Sequence, residues 1–307
     1  MFDRTHDARV RVAAFEWLAD QVTRHGDVLP RQVLAAGFQL GGVRVPLVGP
    51  QGIFKPRILE EVPLSITTAP DGPYDDAFGP DGLLRYRYRG NNPDHADNRG
   101  LRAVMENRLP LAYFHGVARA RYVAAWPVYV IRDERAKLTF SVAVDDATYF
   151  KQSELSGNEA AVTAGEDACR AYVTAAVRVR LHQRAFRERV LEAYRRQCAF
   201  CKLRHEELLD AAHIIPDTAL EGEPIVRNGL SLCALHHAAF DRLFIGVRPD
   251  YVIEVRADLR RERDGPTLVH AIQALHGKRI VLPRSALLQP DPERLRMRYE
   301  LFRQRTQ

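Results

Sequence analysis

Four soft donors stand in two short pairs in the last third of the chain. Cys198 and Cys201 are separated by two residues in CAFC, and Cys233 and His236 repeat that spacing in CALH. Each such turn aims two donors at one point, and two turns close a tetrahedral zinc site. Four protein ligands leave no open coordination position, so this zinc is structural and staples a small module whose own core is thin. His205 competes for the fourth place, but His236 completes the paired spacing. Between or beside the two pairs stand three residues of another kind: His213 in LLDAAHIIP, Asn228 in RNGLSL, and His237 directly after His236.

The order His213, Asn228, His237 between two zinc half-sites resembles the HNH nuclease family, whose core is a β-hairpin followed by a helix wrapped on a metal. The resemblance covers about residues 190–260 and includes the CxxC, the AAHIIP strand, Asn-Gly before an apolar strand, and CxxHH followed by FDRLF. It implies phosphodiester hydrolysis. His213, at the end of an apolar strand, takes a proton from water as general base. His237 binds a divalent cation, Mg2+ or Mn2+ or a similar ion, that stabilises the scissile phosphate and the leaving 3′ oxygen. Asn228 cannot titrate, and its amide pins the hairpin loop. Asp210 supplies a hard carboxylate as second ligand of that cation. Many members carry this ligand immediately before the base, a position held here by Ala212. Asp241 reads as a cap or brace of its helix.

These residues need elements to hold them. The chain has 307 residues, 46% apolar and 27% charged, the balance of a globular protein of two ordinary domains or one large one. Only four cysteines occur, which excludes a secreted disulfide scaffold and suits a reducing compartment. No apolar run approaches the roughly 20 residues that span a bilayer, and the first residues lack the apolar block of a signal peptide. The expectation is a cytoplasmic protein with no membrane partner. Net charge +6 and a pI near 9.2 are compatible with nucleic acid without establishing it.

Apolar spacing predicts a helix from Ala8 to about His25. Runs rich in Val, Ile and Tyr then alternate with Gly, Pro and Asp clusters to Phe150, predicting a barrel or strongly curved sheet with a short helix at Asn98–Leu109. A helix is predicted over Glu159–Arg196 and a last one near Asp291–Phe302. The fold class expected is α+β. A β-rich domain occupies 1–155, a helical linker 156–190, and the nuclease domain 191–307.

Within the β-rich half, Tyr74 and Tyr88 flank the carboxylates Asp75 and Asp76, and an RYRG strand, an Asn-containing helix and a Pro-Val strand follow. That order resembles the SRA (SET and RING associated) family over about residues 45–135. The resemblance implies a PUA-like curved β-barrel that binds a flipped modified cytosine. An extruded base is read by stacking and by its Watson–Crick edge. Tyr74 and Tyr88 would stack on it, and Asp75 or Asp76 would accept from its amino group. Arg85, Arg87 and Arg89 alternate on the opposite face of their strand and would meet phosphates.

Together these features predict a modification-dependent, type IV-like restriction endonuclease. Its reader would select double-stranded DNA carrying 5-methylcytosine or a related base, and it would act as a homodimer so that both strands are cut. One alternative is an HNH DNase whose N-terminal domain is a general DNA-binding or oligomerisation module. Another is a non-catalytic DNA-binding protein, against which the intact His213, Asn228 and His237 speak.

Overall fold

The spacing of Val10, Ala14 and Leu18 puts three apolar side chains on one helical face, and all three are fully buried in α1 (Arg4–His25). The helix starts earlier than its apolar pattern, because Asp3 accepts hydrogen bonds from the Thr5 and His6 N–H groups at 3.0 Å each. The computed structural model describes residues 3–68, 79, 83–144, 181–217, 219, 221–263 and 265–305. The chain divides into two units, Met1–Arg184 and Ala185–Gln307.

In the first unit, α1 and α2 (Arg31–Ala36) accompany nine strands. These are β1 (Val28–Pro30), β2 (Phe38–Leu40), β3 (Val43–Val45), β4 (Ile53–Phe54), β5 (Ser65–Thr68), β6 (Leu84–Arg87), β7 (Leu111–Ala118), β8 (Arg121–Glu134) and β9 (Thr139–Val144). Seven form one sheet in the order β4-β5-β7-β8-β9-β6, with β1 also paired to β8; β2 and β3 make a separate hairpin. Among the described residues, only β5 and β7 run parallel within the large sheet. Register shifts in the β7–β8 and β8–β9 pairings add twist and curl.

The curved sheet is present, and among the described residues it does not close into a barrel. Among the described residues β4 and β6 remain its two ends, giving a curled half-barrel. A side chain of the end strand β6 reaches β5, next to the other end: Tyr86 Oη donates to the Thr67 carbonyl at 3.3 Å. Gly52 sits at this seam, where an added Cβ would fall 2.8 Å from the tyrosine oxygen. The short helix α3 (Ala96–Glu106) covers the predicted segment with a shift toward the N-terminus. Its buried Asn98 accepts from the Arg89 N–H at 2.8 Å and donates to the Arg89 and Asn92 carbonyls at 3.1 and 2.8 Å.

The second unit centres on a hairpin of β10 (Leu209–His213) and β11 (Gly229–Cys233), followed at once by a helix over Ala234–Asp241. A smaller hairpin pairs β12 (Ile245–Val247) with β13 (Ile253–Val255). The last helix, Pro292–Gln304, is capped by Asp291, whose carboxylate accepts from the Glu293 N–H at 2.9 Å. Phe186, Val190, Tyr194, Leu230, Phe240 and Leu295 belong to one buried cluster. Of the long helix predicted over Glu159–Arg196, residues 181–193 are helical; it ends before Arg195 and Arg196, which take left-handed φ of 55° and 51°. Residues 151–180 lie outside the described residues.

Candidate active centre and metal cluster

Hairpin register places the chemistry. Leu209 pairs with Cys233 at one end and His213 with Gly229 at the other. A Cβ on Gly229 would fall 2.4 Å from Val190 and 2.9 Å from Phe186, so the Asn-Gly step lets helical residues 181–193 press onto the hairpin. That approach stacks the Phe186 ring on His213, with centroids 4.0 Å apart at 18°. Asn228 is fully buried and spans the hairpin loop. Its Oδ1 accepts from the Ile215 N–H at 2.9 Å, and its Nδ2 donates to the Ile215 and Glu223 carbonyls at 2.9 and 3.1 Å.

Cys198, Cys201, Cys233 and His236 converge, each offering a ligand atom within 4.8 Å of the others. The His236 Nδ1 lies 3.4 Å from Cys198 Sγ and 3.2 Å from Cys233 Sγ. Bonds of about 2.3 Å to sulfur and about 2.0 Å to nitrogen put such atoms about 3.5 Å apart in a tetrahedral site, so the spacing fits a metal ion. His236 Nε2 lies 2.7 Å from the Ala271 carbonyl, which fixes the proton there and leaves Nδ1 for the metal. Hydrogen bonds with Cys198 push the Cys233 thiol down and the Cys201 thiol up in pKa. His205, the competing fourth ligand, is not part of this group.

The second constellation is more open. His213 is half-buried, and its Nε2 is enclosed with no hydrogen-bond partner among the described residues. That leaves Nδ1 as the nitrogen able to meet water. Burial lowers the His213 pKa, outweighing the opposing pull of Asp217, and so favours the neutral imidazole, the form a general base needs. His237 stands between two half-exposed carboxylates. Its Nδ1 is 3.5 Å from Asp210 Oδ2 and its Nε2 is 3.3 Å from Asp241 Oδ2. The Asp210 contact raises the His237 pKa against the effect of burial. Burial alone would raise Asp210, but His237 and the Ala211 N–H outweigh it and hold the carboxyl low.

Asp210 lies two residues before Ala212, on the same side of the strand. A carboxylate placed there still reaches His237. At 3.5 Å apart, Asp210 Oδ2 and His237 Nδ1 are close enough that the two side chains would share one hard cation. Arg187 steadies the carboxylate: its Nε is 3.5 Å from Asp210 Oδ1, and its Nη2 donates to the Leu209 carbonyl at 2.8 Å.

Three residues close to this centre had no assigned part in it. Asp241 was visible as an i, i+4 neighbour of His237. Phe186 and Arg187 carry no local signal, because their contacts are set by how residues 181–193 cross the hairpin.

The residues expected to read a base fare differently. Tyr74, Asp75 and Asp76 lie outside the described residues. Tyr88 is 2% exposed, stacks on Phe140 with centroids 4.6 Å apart, and donates its hydroxyl to Asp133. Its expected role as a stacking platform is therefore corrected: the strand's inward parity makes it a core residue. Arg85 and Arg87 do point the other way, but Arg85 pairs with Glu134 at 3.1 Å, and Arg89 pairs with Asp97. Arg87 is exposed.

Comparison with known proteins gives one family match: residues 198–248 match HNH endonuclease. No curated protein matches the chain. Among solved structures, a modification-dependent TagI restriction endonuclease superposes with a TM-score of 0.30 at 14% identity, covering 78% of this chain and 82% of that one. The type IV phosphorothioation-dependent restriction endonuclease ScoMcrA gives 0.21 at 15% identity, covering 58% and 54%. The family match falls on the hairpin, the helix after it and all four members of the Cys–His cluster.

Proposed function

We propose a target and a mechanism for this DNA endonuclease, taking as premise the HNH module at residues 198–248. The observation that carries the mechanism is the pairing of a half-buried neutral His213 with a His237 flanked by carboxylates on the helix that follows the hairpin. Nδ1 of His213 takes a proton from water as that water attacks phosphorus, and the bond to the 3′ oxygen breaks. Asp210 and His237 would hold a divalent cation such as Mg2+ or Mn2+, which would supply positive charge to the phosphate and the departing oxygen. Asn228 holds the loop that keeps His213 in place. The Cys198, Cys201, Cys233, His236 cluster would hold a structural zinc, since three thiolates and one imidazole are soft, closed ligation.

The target is double-stranded DNA carrying a modified cytosine, read by a domain over 1–155 that is joined through 156–190 to the cutter at 191–307. Supporting this reading are the order of motifs around Tyr74 and the curled sheet whose strands come before and after them. With Tyr88 buried, the aromatic platform falls to Tyr74 and the carboxylate to Asp75 or Asp76. Arg85, Arg87 and Arg89 would meet phosphates, Arg85 by leaving Glu134 and Arg89 by leaving Asp97. Cutting both strands calls for a homodimer. A cytoplasmic location suits such an enzyme, and no helix among the described residues is long and apolar enough to cross a membrane.

A second reading is favoured by the burial of Tyr88 and the pairing of Arg85 and Arg89: an N-terminal domain that binds DNA generally or mediates oligomerisation. Digestion of matched duplexes carrying cytosine, 5-methylcytosine or 5-hydroxymethylcytosine, with Mg2+ or Mn2+ present, separates the two. Preferential cutting of a modified duplex, lost in His213→Ala, supports the first reading. Equal cutting of all three rejects the reader and keeps the nuclease.

A further inference from the structure

We infer that Asp241 is a positioning residue for the cation site: held by Arg298 of the last helix, it fixes the His237 ring so that Nδ1 faces Asp210. The inference rests on the proposed role of His237 as a cation ligand. It adds a second carboxylate and ties the C-terminal helix, otherwise a packing element, to the centre.

The geometry is a chain of three side chains. Asp241 Oδ2 lies 3.3 Å from His237 Nε2, and Asp241 Oδ1 lies 3.9 Å from Arg298 Nη2. Arg298 is itself only 8% exposed and has little freedom. Its Nη2 donates to the Phe240 and Asp241 carbonyls at 3.1 and 3.3 Å, and its guanidinium sits 4.9 Å from the Phe240 ring centroid. The guanidinium of Arg298 therefore sits at the C-terminal end of the helix that carries His237, where the helix dipole favours it. It also neutralises a carboxylate that is only half exposed.

An imidazole that binds a cation through one nitrogen must place its remaining N–H somewhere. A carboxylate behind the ring sets its orientation and raises its strength as a ligand. His237 has one carboxylate at each nitrogen. Asp210 is on the hairpin with His213 and faces Nδ1; Asp241 is on the histidine's own helix, one turn on, and faces Nε2. Division of labour follows from this placement: Asp210 shares the cation, and Asp241 takes the Nε2 proton.

The test uses the full-length protein and Mn2+ as probe, with free Mn2+ counted by electron paramagnetic resonance during titration. Asp241→Ala should bind Mn2+ about 10–100-fold more weakly than wild type, the usual loss when such a partner is removed. Its cleavage should return as Mn2+ is raised, while zinc content and melting temperature stay as in wild type. Asp241→Asn keeps an oxygen acceptor and should recover much of the affinity, as a direct ligand replaced by an amide would not. Arg298→Met should weaken Mn2+ binding in wild type but add nothing in Asp241→Ala, because both act through one chain. Unchanged Mn2+ affinity in a folded Asp241→Ala overturns the inference alone. So does an Asp210→Ala protein that binds normally while Asp241→Ala binds none, since Asp241 would then be the ligand. A wild-type protein that binds no Mn2+ overturns the cation reading and this inference with it.

Discussion

His236 and His237 are adjacent in sequence, yet they belong to regions of opposite design. A helix turns about 100° per residue, so one imidazole enters the core and the next faces the open side of the hairpin. His236 is 1% exposed, points Nδ1 at two sulfurs and has its other nitrogen on the Ala271 carbonyl. His237 is half-buried between two half-exposed carboxylates. The first region is soft and enclosed, with donors all from protein; the second is hard, oxygen-rich and more open. The same short helix carries a member of each.

The largest expected effect tests the closed region. Cys198→Ala should lose the zinc and unfold the C-terminal unit, since a structural zinc contributes about 10–16 kcal/mol and a whole domain is stable by only about 5–15 kcal/mol. Metal analysis and circular dichroism read both losses; a folded, zinc-free variant would show that the cluster is dispensable. Next comes the open region. His213→Ala should slow cleavage by about 10²–10⁴-fold, the worth of a positioned base, while zinc content and DNA binding persist. Wild-type cleavage by this variant would remove His213 from the mechanism.

A smaller effect concerns pH. The His213 pKa lies below its ordinary value near 6.5, chiefly through burial, so the base stays neutral to lower pH than a free histidine. Cleavage should fall on the acid side with a midpoint below about 6.5. The sign for stability is the same: as pH falls below about 6.5 the unfolded chain takes up the proton first. The stabilisation is therefore full above that pH and is lost toward the folded value. Phe186→Leu, which thins the cover over the ring, should move the cleavage limb to higher pH. A limb that stays put would detach the shift from that stacking.

The smallest effect lies in the first unit. Tyr88→Phe removes the hydroxyl bond to Asp133 and should cost about 0.5–1.5 kcal/mol in thermal unfolding. Any preference for modified DNA should be untouched. A loss of that preference would return Tyr88 to a base pocket.

Both regions were legible for a local reason. CxxC, CxxH and the His–Asn–His order lie within a short stretch, where hairpin and helix geometry follow from spacing alone. Asn-Gly before β11 also had a readable cause, although its purpose needed Phe186 and Val190 to be seen against Gly229. The first unit was less legible. Strand β7 is buried along nearly its whole length, so it shows no alternation to mark it as a strand. Tyr88 has the residue type of a binding platform and the parity of a core position; sequence cannot tell which wins.

The amino-acid sequence by itself determined the Cys–His spacing, the order of His213, Asn228 and His237, and the helix phase that separates His236 from His237. These depend on covalent distance and on local backbone periodicity. Tertiary structure alone decided that Phe186 covers His213, that Arg187 steadies Asp210, that Arg298 backs Asp241 and that Tyr86 reaches the Thr67 carbonyl. Each of these joins residues on different elements, and such contacts exist only once apolar burial has brought the elements together.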